Sequence, residues 1–304
     1  MGSGALRWTR NLGLMAALLV GCASVASSQT LDSAVEWAIL QGKAGKHEAG
    51  LKALEPYLST TDPGSAKAWY VSGFLLKERF KETHLSADRS AAMDMLEMSI
   101  RHHNGNALPS AWYESARKAL SYLSLTCYDE VVRGIQSFSP GEEGAILALF
   151  ERHVQAERSL DASWSDREER TEVHKNLAKA FRLWFETTGD EGHFESLVAQ
   201  YERAVEVNPD DVQAWYNLAV NLYNRGVAVI KSWDHTASMF EVMEMEEQFA
   251  SWCGRALAPL ERAHQLDSKR KETLKGLVMV HMALDHAEEE TRYKEKLAQI
   301  VQTP

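Results

Sequence analysis

Eleven histidines, three cysteines and 43 acidic residues give this 304-residue chain its capacity for metal, thiol or acid–base chemistry, and their spacing decides how much of it is open. His281 and Asp285 stand four apart, on one face of a helix, with His286 next in line. Two ligands fall short of the three or four that a protein zinc site uses. His102 and His103 are adjacent, and adjacent helical side chains diverge by about 100°, so the pair reads as a polar helix end. Gly42-Lys43-Ala44-Gly45-Lys46 has some of the composition of a phosphate-binding loop. The first glycine of such a loop would fall at Leu40, however, and its Ser or Thr at His47, so the segment reads as a helix turn. There is no Cys-x-x-Cys pair, no Gly-x-Ser-x-Gly elbow and no His-Glu-x-x-His helix, and no spacing sets two carboxylates across a cleft. These residues predict no metal, no cofactor and no catalysis.

Charge and composition narrow the field further. With 33 Lys+Arg against 43 Asp+Glu the net charge is −10, and no basic run occurs, so the phosphate contacts of a nucleic-acid binder are not provided. Hydrophobic residues make up 45% of the chain, enough for a sizeable core, while 7 Pro and 18 Gly are too few for an all-β sandwich with frequent turns.

Residues 1–28 read as a secretory signal: Arg7 and Arg10 form a basic start, Leu12 to Val20 an apolar stretch, and small residues follow. The stretch is interrupted by Gly13 and stops at Gly21, short of the roughly 20 apolar residues that span a bilayer. Leu19-Val20-Gly21-Cys22 resembles the lipobox of bacterial lipoproteins. That resemblance implies a lipidated Cys22, a periplasmic location and an anchor in the outer membrane, with the lipid as the sole membrane contact. The alternative is cleavage near Ser28, which leaves Gln29 as the start of a soluble periplasmic chain. Cys127 and Cys253 then remain, and either they pair in an oxidising compartment or each is a small buried apolar residue.

Internal repetition points to the fold. Ala68-Trp69-Tyr70, Ala111-Trp112-Tyr113 and Ala214-Trp215-Tyr216 are copies of one tripeptide, and four residues after each Trp stands a small residue, Gly73, Ala116 or Ala219. Trp112 and Trp215 are separated by close to three units of a period of about 34 residues. Around the third copy, Leu197, Tyr201, Ala204 and Pro209 precede Trp215, Leu218, Ala219, Leu222 and Gly226, and Asn208-Pro209-Asp210-Asp211 supplies a break and a helix start. This pattern resembles the tetratricopeptide repeat, with Leu197 where the family prefers Ala. Ala256, Leu260 and Ala263 repeat the second-helix spacing, as do Ala92, Leu96 and Ser99, and Trp37, Ala38, Gly45, Gly50 and Leu54 suit a first hairpin closed by Asp62-Pro63. The resemblance implies an all-α solenoid of helix-turn-helix repeats over residues 31–302, of the kind exported by Gram-negative bacteria.

Departures from the period are also legible. Residues 227–255 form a helix-prone insertion that lengthens one hairpin, and its apolar stripe of Met239, Phe240, Met243, Phe249 and Trp252 is expected to pack the two long helices together, the alternative being an exposed Met-rich partner surface. No Pro or Gly interrupts Ser110 to Gly134. Residues 151–170 are charged and expected to bend near Ser159, Ser163 and Ser165. Of the nine Trp, Trp37, Trp69, Trp112, Trp184 and Trp215 sit in apolar helical patterns and are expected in the core, and Trp164, Trp233 and Trp252 are the candidates for exposure.

The repeat resemblance implies a non-catalytic protein–protein interaction scaffold of the cell envelope, holding a peptide or partner helix in a concave groove. Carried over by position, the groove residues are Tyr70, Lys77, Tyr113, Arg117, Tyr216, Tyr223 and Asn224. The alternative function is a carbohydrate-binding or glycan-handling envelope lipoprotein.

Overall fold

The computed structural model describes residues 30–58, 65–103, 110–233 and 236–302. The signal segment with Cys22, and Asp62-Pro63, lie outside the described residues. The fold is all-α: twelve helices and no strand among the described residues. The chain divides into two units, residues 1–126 with 155–162 and residues 127–154 with 163–304.

In the first unit, α1 (Leu31–Lys43) and α2 (His47–Leu54) form a hairpin around Gly45, whose φ of 71° is the left-handed conformation that glycine adopts without steric cost. A short 3-10 turn, Glu55–Tyr57, ends that hairpin. Both helices pack on α3 (Ala66–Thr83), which pairs with α4 (Ser86–Arg101). The small position of the repeat explains the close pairing. A Cβ on Gly73 would lie 2.8 Å from Leu96 Cγ and 3.2 Å from the Ala92 carbonyl oxygen, so only glycine admits α4 at this distance. Ser99 Oγ donates to the Ala66 carbonyl at 3.1 Å across the same pair.

Helix α5 (Ser110–Gln136) runs unbroken for 27 residues, and α6 (Glu143–Leu160) ends at the bend expected near Ser163 and Ser165, before α7 starts at Arg167. The second unit continues with α7 (Arg167–Thr188), α8 (Glu191–Val207), α9 (Val212–Lys231), α10 (Met239–Leu266), α11 (Lys271–Ala283) and α12 (Ala287–Gln302). From α7 onward each helix packs chiefly on its neighbours in chain order, which is the arrangement of stacked helix-turn-helix repeats. The turns carry their own stop and start signals. Gly189 closes α7 in the left-handed conformation, and Asp190 and Asp211 cap α8 and α9 by accepting from Gly192 N at 2.9 Å and Ala214 N at 2.8 Å. Leu197, Tyr201, Ala204, Leu218, Ala219 and Leu222 are all buried in one core, as are Ala256 and Leu260 of the weaker copy, whose Ala263 is also buried.

Several sequence expectations need correction. Phe249 and Trp252 pack against the core, but Met239, Phe240 and Met243 do not join the long helices together: they are 78%, 76% and 61% exposed. The reason is where α9 and α10 meet. Gly226 faces Phe249 and Trp252, α9 stops at Lys231, and no residue of α10 before Cys253 is fully buried. Trp37, expected in the core, is 40% exposed, because α1 turns Ala34, Val35 and Ala38 rather than Trp37 into its packed face. Trp164 and Trp252, expected to be exposed, pack on the core of the second unit, while Trp233 is exposed as expected.

Candidate functional site

Helix α9 presents three faces. Trp215, Leu218, Ala219 and Leu222 turn into the core. Asn217, Asn221 and Asn224 recur at i, i+4 and i+7 and so share a second face, where with Lys179 and Arg182 of α7 and Phe194 and Tyr201 of α8 they border an open cleft of about 420 Å³. Its floor is apolar, and its walls carry the asparagine amides and the cations Lys179, Arg182 and Arg225, with Glu186 the one carboxylate among them. Asn221 donates to the Asn217 carbonyl at 2.7 Å, and Asn217 Oδ1 accepts from Gln213, which leaves each side chain further hydrogen-bonding capacity. Arg182 lies 3.5 Å from Glu186, and Arg225 at the rim forks onto Glu191 with a shortest distance of 2.6 Å. Lys179 donates to the Asn176 amide oxygen at 3.0 Å and has no acidic partner among the described residues. Burial raises the Tyr201 pKa, so the phenol in the floor is a neutral hydrogen-bonding group. Carboxylates or peptide amides of an extended segment would find donors and acceptors along this face.

The third face of α9 carries Tyr216 and Tyr223. Tyr216 lies beneath the Arg270 guanidinium at 4.4 Å, and Tyr223 packs toward the Phe249 ring at 6.4 Å, with its pKa raised first by burial and then by nearby Cys253. Both therefore face the helices that follow, while Asn224 alone of the three borders the cleft.

The first unit has a concavity of different chemistry. Ile39, Val71, Leu75, Tyr70, Phe74 and Trp112 wall an apolar hollow of about 390 Å³, with Lys43, His47 and Glu78 at its polar margin. Tyr70 and Trp112 lie 4.9 Å apart by ring centroids, and burial raises the Tyr70 pKa. Lys77 is buried, pairs with Glu78 at 2.8 Å and sits 3.8 Å from the Phe74 centroid. Tyr113 stacks on His103 at 4.1 Å, and Arg117 donates to the Leu160 carbonyl at 2.7 Å. Of the four residues placed in a groove here by position, the structure brings only Tyr70 to the hollow.

The remaining chemistry is internal. His174 Nδ1 donates to Gln200 Oε1 at 2.7 Å in the interior, and Gln200 donates in turn to the partly buried Glu143, a chain joining α7, α8 and α6. His281 and His286 approach at 3.2 Å through their Nδ1 atoms, and among the described residues no three His, Cys, Asp or Glu are grouped to hold a metal ion. Cys127 and Cys253 are both buried, and burial pushes the Cys253 pKa up to about 11. Among the described residues no helix is long and apolar enough to cross a membrane.

No protein-family model and no curated protein matches this sequence. Among solved structures the chain is similar to MamA, at 11% identity over 76% of this chain and 91% of that one, with a TM-score of 0.30. It is similar also to YrrB, described as a TPR protein with an unusual peptide-binding site, at 18% identity over 82% and 92% with a TM-score of 0.24. A third is Nro1, a nuclear import adaptor of S. pombe, at 13% identity over 90% and 91% with a TM-score of 0.33. At such scores these likenesses carry no argument for function, and the repeat assignment rests on the hairpins and buried repeat positions of this chain.

The residues that sequence reasoning missed are Lys179, Arg182, Asn217 and Asn221. Their signal was the i, i+4, i+7 spacing of the three asparagines, which sets them on one face of a helix whose apolar face was already known from Leu218 and Leu222.

Proposed function

We propose that this chain is a non-catalytic interaction scaffold of the bacterial cell envelope, tethered or released at its N-terminus, that holds an extended acidic peptide segment of a protein partner in the cleft between α7, α8 and α9. The observation that carries the reading is the row Asn217, Asn221 and Asn224 opposite Lys179 and Arg182 over an apolar floor. Amide side chains hydrogen-bond a peptide backbone as both donor and acceptor, and the lysine, without an acid of its own, favours a carboxylate. The envelope location rests on the basic start, short apolar stretch and small residues of segment 1–28.

The test is site-specific photocrosslinking in cells. A photoreactive residue at Asn221 is expected to capture one protein through an acidic segment, and Lys179→Glu is expected to abolish that capture. The same probe at Glu202, on the exposed side of α8, is expected to capture nothing specific. Equal capture from positions 202 and 221, or capture indifferent to Lys179→Glu, overturns the proposal.

A further inference from the structure

The first turns of α10 present a surface that the cleft does not use. Met239, Phe240 and Met243 lie on one side of the helix, 61–78% exposed, and Trp233 on the connection before it is 55% exposed. Scattered exposed apolar residues are ordinary, but large ones gathered on one projecting turn mark a contact surface. The turn is built to stand without cover. Ser238 and Glu241 form a reciprocal cap, with Glu241 Oε2 accepting from Ser238 N at 2.7 Å, and Gly226 against Phe249 and Trp252 anchors the hairpin at its base.

Charge distinguishes the possible occupants. Glu241, Glu244, Glu246 and Glu247 are all exposed, and Lys231 is the one Lys or Arg described between residues 227 and 248. Glu241 is engaged in the cap, whereas Glu244, Glu246 and Glu247 form no ion pair among the described residues. Beside the apolar turn, Glu244, Gln248 and Ser232 border a polar hollow of about 420 Å³ that suits the head of a long basic side chain.

We propose that this tip is a docking surface for a basic amphipathic helix of a partner protein, whose apolar side covers Met239, Phe240, Met243 and Trp233 and whose Lys or Arg residues meet Glu244, Glu246 and Glu247. Four carboxylates repel an anionic lipid surface, and a second copy brings the same acidic tip, so a symmetric tip-to-tip contact sets like charges together. Methionine's unbranched thioether adapts to the apolar ridge of a helix, and such a ridge offers side chains at i, i+3 or i+4, and i+7 to the exposed turn. The residues involved are separate from those of the α7–α9 cleft.

The experiment measures fluorescence anisotropy of a labelled amphipathic helix of about 18 residues made of Leu and Lys, titrated with the protein. Saturable binding is expected, weakened about tenfold or more by Phe240→Ser with Met243→Ser and likewise by Glu244→Lys with Glu247→Lys. Both double variants are expected to keep their circular dichroism and melting temperature, because the replaced side chains are exposed. Asn221→Ala in the cleft is expected to leave this binding unchanged, which keeps it distinct from the cleft's own partner. Equal binding of a Leu and Glu helix, or no loss in the Phe240 and Met243 variant, overturns the proposal. So does flotation with phosphatidylglycerol vesicles, or a concentration-dependent dimer, that the same variant abolishes, since either names a different occupant.

Discussion

Gly226 and Trp252 meet where α9 crosses α10: a Cβ on Gly226 would lie 2.9 Å from Trp252 Cβ and 3.1 Å from a ring carbon of Phe249. Replacing a mid-helix glycine by alanine ordinarily stabilises a helix by about 1 kcal/mol. Here the new methyl meets an atom next to the opposing backbone, which cannot swing aside, and overpacking of this kind costs about 1–3 kcal/mol. Gly226→Ala is therefore expected to lower the urea midpoint at unchanged slope. A raised midpoint would show that the helices separate freely there.

Trp215 is half-buried, and its indole nitrogen donates to the Pro209 carbonyl at 3.0 Å. A fully buried Trp replaced by Ala costs about 3–5 kcal/mol, so this one is expected to cost about 2. Because repeats lean chiefly on their neighbours, hydrogen exchange should accelerate in α8, α9 and α10 before it does in α1 to α4. Uniform acceleration along the chain would contradict the repeat architecture.

Burial is the largest cause of the lowered pKa values of His174, His264 and His281, each below the ordinary 6.5. An unfolded chain takes up protons at these sites near pH 6.5 that the folded chain refuses, so their contribution to stability is complete above that pH and declines as pH falls through it. The melting temperature is expected to drop between pH 7.5 and 5.5, and His174→Gln to flatten part of that drop. A melting temperature that rises toward pH 5.5 would reverse the sign and refute the account.

Both described cysteines are buried, and Cys127 and Cys253 are not joined to each other. In the Cys22→Ala protein an aromatic disulfide reagent is expected to leave the native chain nearly untouched at pH 8 and to titrate two thiols in urea. Finding no titratable thiol in urea would mean that Cys127 and Cys253 are joined.

Cys22 itself answers to fractionation. If it is lipidated, Cys22→Ala should move the protein from the membrane fraction to the soluble one with its helical content intact, because an acyl chain adds membrane affinity and no core contact. A wild-type protein already soluble and beginning at Gln29 would decide for simple cleavage.

Helix content, hairpin turns and the close-approach positions were legible in the chain alone. Trp followed four residues later by a small residue recurs three times, and Gly73, Ala116 and Ala219 are each buried. That pattern is local: a period near 3.6 and a missing side chain fix which face of a helix another helix can approach. The helix start at Asp211 and the turn at Gly45 were local for the same reason. The cleft was not. Tyr216, Tyr223 and Asn224 are all polar-faced neighbours of the same core stripe, and the sequence does not say that the tyrosines turn toward Phe249 and Arg270 while the asparagines turn toward α7 and α8. Nor does apolar spacing reveal that Phe249 and Trp252 find a partner at Gly226 and that Met239, Phe240 and Met243, nearer the start of α10, stay exposed. Periodicity gives each helix its apolar face, but which part of that face is covered depends on where the next helix crosses and stops, and only tertiary packing decides that.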